Sequence, residues 1–196
     1  YLAGGFSTAL LFGAREEDNL NKIQSLYYDD IDIFFTSEQV FTELSKLFND
    51  QYRNSIVSET ENALTYSIWE ESIQNTVKIQ LVKKFFKQPQ DLIETFDIVN
   101  CSTCYCLFKK FWYLHEKTID CMANKKLSLL NPVMLDEKHP DYPHSITIQL
   151  ERFSKYITRY DLDLDLSAMK LVSYHSDKNK NLTISKNKTM YVNGYY

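Results

Sequence analysis

Apolar residues recur along this chain with two periods, and the switches between them outline a mixed sheet with helices. Tyr1-Leu2-Ala3 has the character of a strand end, Gly4-Gly5 that of a tight junction, and Phe6–Phe12 that of an apolar helix on a sheet. Tyr28–Phe35 is β-prone, with polar Asp30 and Asp32 alternating against Ile31 and Ile33. Ser37 is placed to cap a helix running to Tyr52, in which Phe41, Leu44, Leu47 and Phe48 fall on helical spacing. Further strands are expected at Ser55–Ser58, Ala63–Trp69, Thr76–Phe85 and Thr95–Cys101, then a hairpin through Cys104–Leu114. Pro89 opens a short helix, Lys117–Asn124 forms another, and Leu127–Leu129 a brief strand. Asn131–His144 reads as a loop, Ser145–Tyr160 as a strong helix, and a short helix follows Asp165.

These elements divide the chain into a head at 1–130, a helical extension at 131–176, and a Lys- and Asn-rich tail at 177–196 that is mobile or partner-bound. The expected fold class is α/β (α+β), a mixed sheet flanked by helices. Residues 14–26, with Arg15-Glu16-Glu17-Asp18, form a charged surface excursion.

At 196 residues the chain is long enough to bury a substantial core. Its net charge of -4 argues against a dedicated non-specific nucleic-acid binder, yet leaves room for local basic patches. No apolar run reaches membrane-spanning length, so a soluble, intracellular protein is expected, in the host cytoplasm if its source is viral. The chain starts at Tyr1 rather than Met, which leaves room for a preceding segment.

Cys101, Cys104, Cys106 and Cys121 include a C-x2-C spacing, but their flanks lack the Gly or Pro that tightens a zinc knuckle. Reduced, buried thiols are the default. His139 and His144 flank a Pro-containing loop and read as surface residues, and no G-x-S-x-G elbow supports Ser-His-Asp catalysis.

The chemistry concentrates on carboxylates. On an extended chain Asp30 and Asp32 share one face, while Asp29 is out of phase and excluded. Two carboxylates on one strand face can grip a divalent cation; the same alternation also suits a half-exposed strand with a solvated acidic face. Asp97, within Phe96-Asp97-Ile98-Val99, is a carboxylate in an otherwise buried run, costly unless paired or coordinated. Gly4-Gly5 before a helix lets a phosphate approach main-chain N–H groups, with the Ser7 hydroxyl as a further donor, although such a pair is also an ordinary turn.

In this order, these motifs resemble the DNA polymerase β-like nucleotidyltransferase superfamily, in its small phage and bacterial members and in the head domain of poly(A)-polymerase and CCA-adding relatives. The resemblance spans residues 1–160. It implies that Asp30, Asp32 and Asp97 bind Mg or Mn and carry catalysis, with Asp97 as general base. Gly4, Gly5 and Ser7 would contact phosphate. Arg152 and Lys155, in Leu150-Glu151-Arg152-Phe153-Ser154-Lys155-Tyr156, would contact the triphosphate, although a basic helix row is also an ordinary solvated face.

The implied activity is transfer of an NMP from an NTP to an acceptor hydroxyl on RNA, protein or a small molecule, with release of pyrophosphate. The interval between Gly5 and Asp30 exceeds the usual one, and the Glu-Asp-x-x-Arg pattern that selects bases in CCA-adding enzymes is missing, so tRNA is not the implied acceptor. The competing reading is a catalytically silent module of the same fold within a larger protein assembly, for example a viral one. No membrane partner is expected.

Overall fold

The computed structural model describes residues 1–13, 30–71, 74–130, 144–178, 182–184 and 190–192. Two compact units form: Tyr1–Thr95 with Cys101–His115, and Phe96–Asn100 with Glu116–Tyr196.

The first unit is built on a seven-stranded mixed sheet. Its strands are β1 (Leu2–Ala3), β2 (Ile31–Phe35), β3 (Ile56–Glu59), β4 (Ala63–Glu70), β5 (Asn75–Phe85), β6 (Thr103–Cys106) and β7 (Phe111–Leu114). Across the sheet they run β3-β4-β5-β2-β1-β6-β7. The β2–β5 pairing is parallel and the other pairings are antiparallel. The helices are α1 (Gly5–Gly13), α2 (Glu38–Tyr52) and α3 (Pro89–Ile93). The fold class is therefore the expected one, a mixed sheet flanked by helices.

Alternation on β2 decides which face is the core. Phe35, Leu64, Tyr66 and Leu81 form a buried cluster, with Ile33, Ile79 and the α2 residues Phe41, Leu44 and Phe48 packed against it. Burial of several aromatic and aliphatic side chains, at about 1.5–3 kcal/mol each, makes this face the main anchor of the unit. Ser37 caps α2 as expected, its hydroxyl accepting the Val40 N–H at 3.4 Å. Pro89 occupies the first turn of α3, where a missing N–H costs nothing.

The second unit contains α4 (Thr118–Ala123), β8 (Lys126–Leu127), α5 (His144–Tyr160), β9 (Asp163–Leu164) and α6 (Leu166–Lys178). Strands β8 and β9 pair in parallel. Leu150, Phe153 and Ile157 of α5, and Ala168, Leu171 and Val172 of α6, are buried. Strands β10 (Leu182–Ile184) and β11 (Met190–Val192) pair antiparallel within the segment expected to be a tail.

One expected strand is replaced. Residues Thr95–Cys101 do not extend along a sheet: Ile98 makes an isolated bridge to Leu129, and Val99–Cys101 is a 3-10 turn. The burial inferred from the apolar run is correct, since Ile98, Val99 and Asn100 are buried. What replaces the ladder is the Asn100 side chain, which donates to the Lys126 carbonyl at 2.9 Å and accepts from the Ser128 N–H at 3.3 Å. An amide that satisfies main-chain groups in this way competes with strand pairing.

The expected excursion at 14–26, Asp29, and the loop with His139 at 131–143 lie outside the described residues. Among the described residues no helix is long and apolar enough to cross a membrane.

Asp165 caps α6. Its Oδ1 accepts from the Ser167 hydroxyl at 2.6 Å and the Ala168 N–H at 2.9 Å. Burial opposes its ionisation, but hydrogen bonds from the hydroxyls of Ser128 and Ser167 and from the Ala168 N–H outweigh that cost and hold its carboxyl below the ordinary value of 3.8. A depressed folded-state value means that the cap's stabilisation is full above that ordinary value and fades as pH falls through the folded one. Asp165→Ala is expected to cost about 1 kcal/mol at neutral pH, read from urea denaturation, and the deficit should shrink as the medium is acidified below the ordinary carboxylate range.

Candidate functional site

Backbone pairing brings the glycine turn to the acidic strand. In the first unit, β1 is flanked by β2 and β6, with Ala3 opposite both Asp32 and Cys104. Gly4 follows directly, with φ at 77°, a left-handed conformation that glycine adopts without a Cβ penalty. Its N–H donates to the Thr103 carbonyl at 3.3 Å, and its carbonyl accepts the Thr8 N–H at 3.1 Å as α1 begins. The turn therefore lies beside the start of β2. The peptide dipoles of α1 give that end a partial positive character.

Strand parity sets the carboxylates on the face opposite the α2 cluster. Ile33 points into the cluster under α2, so Asp32 points to the opposite face. Opposite and adjacent residues carry that face across the sheet as a row: Thr65, Gln80, Asp32, Ala3, Cys104 and Tyr113. Asp30 immediately precedes β2 and continues its alternation. Gln80 was not singled out from the sequence, yet it is the β5 neighbour of Asp32, and its amide donates to the Thr65 hydroxyl at 3.3 Å. Its signal was the alternation in Val77-Lys78-Ile79-Gln80-Leu81.

The expected role of the Ser7 hydroxyl is corrected. Ser7 is fully buried, and its Oγ contacts the Gly4 carbonyl at 2.9 Å, the Thr103 carbonyl at 3.0 Å and Thr103 Oγ1 at 2.6 Å. Thr8 adds its own hydroxyl to the Gly4 carbonyl at 3.0 Å and to Thr103 Oγ1 at 3.1 Å. These hydroxyls fasten α1 to β6 on the core side and are spent there. Phosphate-facing donors at this turn would have to be main-chain N–H groups.

Asp97, Arg152 and Lys155 belong to the second unit. Asp97 is 5 % exposed and lies in the bend before the Ile98 bridge rather than on a strand. Its Oδ2 takes the Arg152 guanidinium at 3.0 Å and the Gln149 amide at 3.4 Å, while Oδ1 is buried without a hydrogen-bond partner among the described residues. The residue expected to contact triphosphate thus neutralises a residue expected to bind metal. Gln149, one α5 turn before Arg152, was missed; only its i, i+3 relation to Arg152 pointed to it. The Lys155 ammonium lies over the Tyr156 ring at 5.5 Å.

Carboxylate oxygens are the donors that Mg and Mn prefer, and the buried Asp97 Oδ1 retains acceptor capacity, so the donor chemistry fits such an ion. Among the described residues, however, no three His, Cys, Asp or Glu stand close enough together to hold a metal. The cysteines are free thiols, with Cys101, Cys104 and Cys106 buried. Burial pushes the Cys104 thiol up to about 12, which keeps it protonated at neutral pH.

The sheet, with its glycine turn and acidic strand, defines a nucleotidyltransferase-type fold, and solved structures agree. A tRNA nucleotidyltransferase complexed with a primer tRNA and an incoming ATP analog matches with a TM-score of 0.60 at 13 % identity, over 91 % of this chain and 46 % of that one. The Thermotoga maritima CCA-adding enzyme complexed with tRNA matches at 0.57 and 14 %, over 90 % and 37 %. The Bacillus stearothermophilus CCA-adding enzyme in complex with CTP matches at 0.57 and 8 %, over 90 % and 39 %. The chain thus spans less than half the length of these enzymes. A family model described as Gad2, Gabija anti-defense 2 family protein, matches residues 1–125, and the chain belongs to that family. A search of curated proteins finds no match.

The Asp97–Arg152 pair has a measurable stability consequence. Arg152→Ala would leave a buried carboxylate short of its charged donor, and a loss of about 2 kcal/mol is expected from the urea midpoint. Arg152→Lys, which keeps the charge but not the planar donor geometry, should recover part of it.

Proposed function

We propose that this chain is a metal-dependent nucleotidyltransferase that moves an NMP from an NTP to an acceptor hydroxyl. One observation carries the proposal: β1–β2 pairing sets the Gly4-Gly5 turn beside the start of a strand whose Asp32 lies on the face opposite the α2 cluster, with Asp30 just before it. The fold-level likeness to nucleotidyltransferases supports it.

In this proposal Asp30 and Asp32 would bind Mg or Mn and main-chain N–H groups after Gly4 would receive phosphate oxygens, while the family resemblance assigns Asp97 to the same carboxylate set. The metal ions would supply Lewis-acid stabilisation of the triphosphate and make the attacking hydroxyl more acidic. The acceptor oxygen bonds to the α-phosphorus, the bond to the bridging oxygen of pyrophosphate breaks, and Asp97 takes the hydroxyl proton. Arg152 and Lys155 hold the triphosphate; Arg152 exchanges its contact with Asp97 for a phosphate, which frees that carboxylate for its task. Candidate acceptors are RNA, protein or a small molecule, and the work is done in the host cytoplasm if the source is a phage.

A second reading has its own observation. With Arg152 bound to Asp97, the chain also suits a module that has exchanged catalysis for assembly, acting on the Gabija defence named in its family description through protein contact.

Labelled NTPs incubated with the protein, Mn and cell extract test the first reading. Label should pass to an acceptor, and Asp30→Asn, Asp32→Asn and Asp97→Asn should each lower the rate by about 100-fold or more. Calorimetry should show Mn binding that weakens in the Asp30 and Asp32 variants. Full transfer by all three variants overturns the assignment; absence of both Mn and NTP binding favours the assembly role.

A further inference from the structure

The far edge of the sheet carries a second surface. Strands β6 and β7 close through residues 107–110, where Lys110 adopts a left-handed φ of 52°. Phe108 is 94 % exposed and Phe111 61 % exposed, with Leu107 beside them. Lys109 and Lys110, between the two rings, are exposed and form no ion pair among the described residues. The Phe111 ring is set edge-on against Tyr113, with centroids 5.4 Å apart, so it is braced rather than loose.

Parity relates this surface to the carboxylates. Tyr113 is opposite Cys104, Cys104 opposite Ala3, and Ala3 opposite Asp32, so Phe111, Tyr113 and Asp32 occupy the same face of the same sheet. Three strand spacings separate Tyr113 from Asp32, about 14 Å.

We propose that the β6–β7 hairpin binds single-stranded RNA, the exposed rings stacking on bases and the two lysines meeting phosphates. Both ingredients of sequence-tolerant single-strand recognition are present within five residues. Lysine is depleted from the buried centres of protein–protein interfaces, which disfavours a protein occupant for a patch whose middle is Lys109-Lys110. The binding does not depend on the proposed nucleotidyl transfer, since fully buried Ala3 and Cys104 lie between Tyr113 and Asp32 on that face.

Fluorescence anisotropy with a labelled oligouridylate, in the absence of metal and nucleotide, tests the surface. Phe108→Ala with Phe111→Ala should weaken binding about tenfold or more. Lys109→Ala with Lys110→Ala should reduce the slope of log affinity against log salt by about 1.4. An unchanged thermal midpoint in each double variant checks that folding is intact. Because binding is read without metal or nucleotide and transfer is read from labelled NTP, failure of the RNA surface and failure of the transfer reaction are told apart. No binding by the parent chain, undiminished binding by both double variants, or equal affinity for a fully paired RNA duplex overturns the proposal.

Discussion

The alternation of β2 is the constraint on which the rest of the first unit depends. Ile33 and Phe35 must meet the Leu64, Tyr66 and Leu81 cluster beneath α2, and extended geometry then sends Asp32 to the other side. A slip of one residue would place a carboxylate in that core and an isoleucine outside it, so register is fixed by the cost of burying charge. Parallel pairing with β5 and antiparallel pairing with β1 transmit this choice across the sheet. The same register that secures the core thereby sets the glycine turn beside the acidic strand.

Periodic elements were legible because their patterns record burial directly. Phe41, Leu44 and Phe48 marked the buried stripe of α2, Ser37 its start, and Pro89 the first turn of α3. The segment around Asp97 misled because buried strands and buried irregular turns share an apolar composition. Its distinguishing residue is Asn100, whose amide satisfies backbone groups 26 and 28 residues further on, a contact that no local pattern reveals. Ser7 misled for a related reason. A hydroxyl after a glycine turn can face a ligand or the neighbouring strand, and only the pairing of β6 beside β1 decides between them.

The Asp97–Arg152 contact joins two groups to which the motif pattern assigned separate tasks. A buried carboxylate needs a counter-charge or donors, and Arg152 with Gln149 supplies both. A cation at Asp97 would compete with that guanidinium electrostatically. The pair therefore bears on both functional readings: as a contact exchanged when triphosphate arrives, or as a permanent stabilising element of a silent module. Stability alone does not discriminate, since either reading predicts that Arg152 supports Asp97.

The β6–β7 hairpin offers a handle on function that does not pass through Arg152. Phe108, Lys109 and Lys110 lie in its turn, beyond the paired register, and fully buried Ala3 and Cys104 separate its base from Asp32. The proposed single-strand binding at the hairpin is therefore local, and its energetics follow from the rings and lysines of the turn. It is also compatible with a net negative chain, because the lysines needed for phosphate contact are local and the rings contribute attraction that salt does not screen.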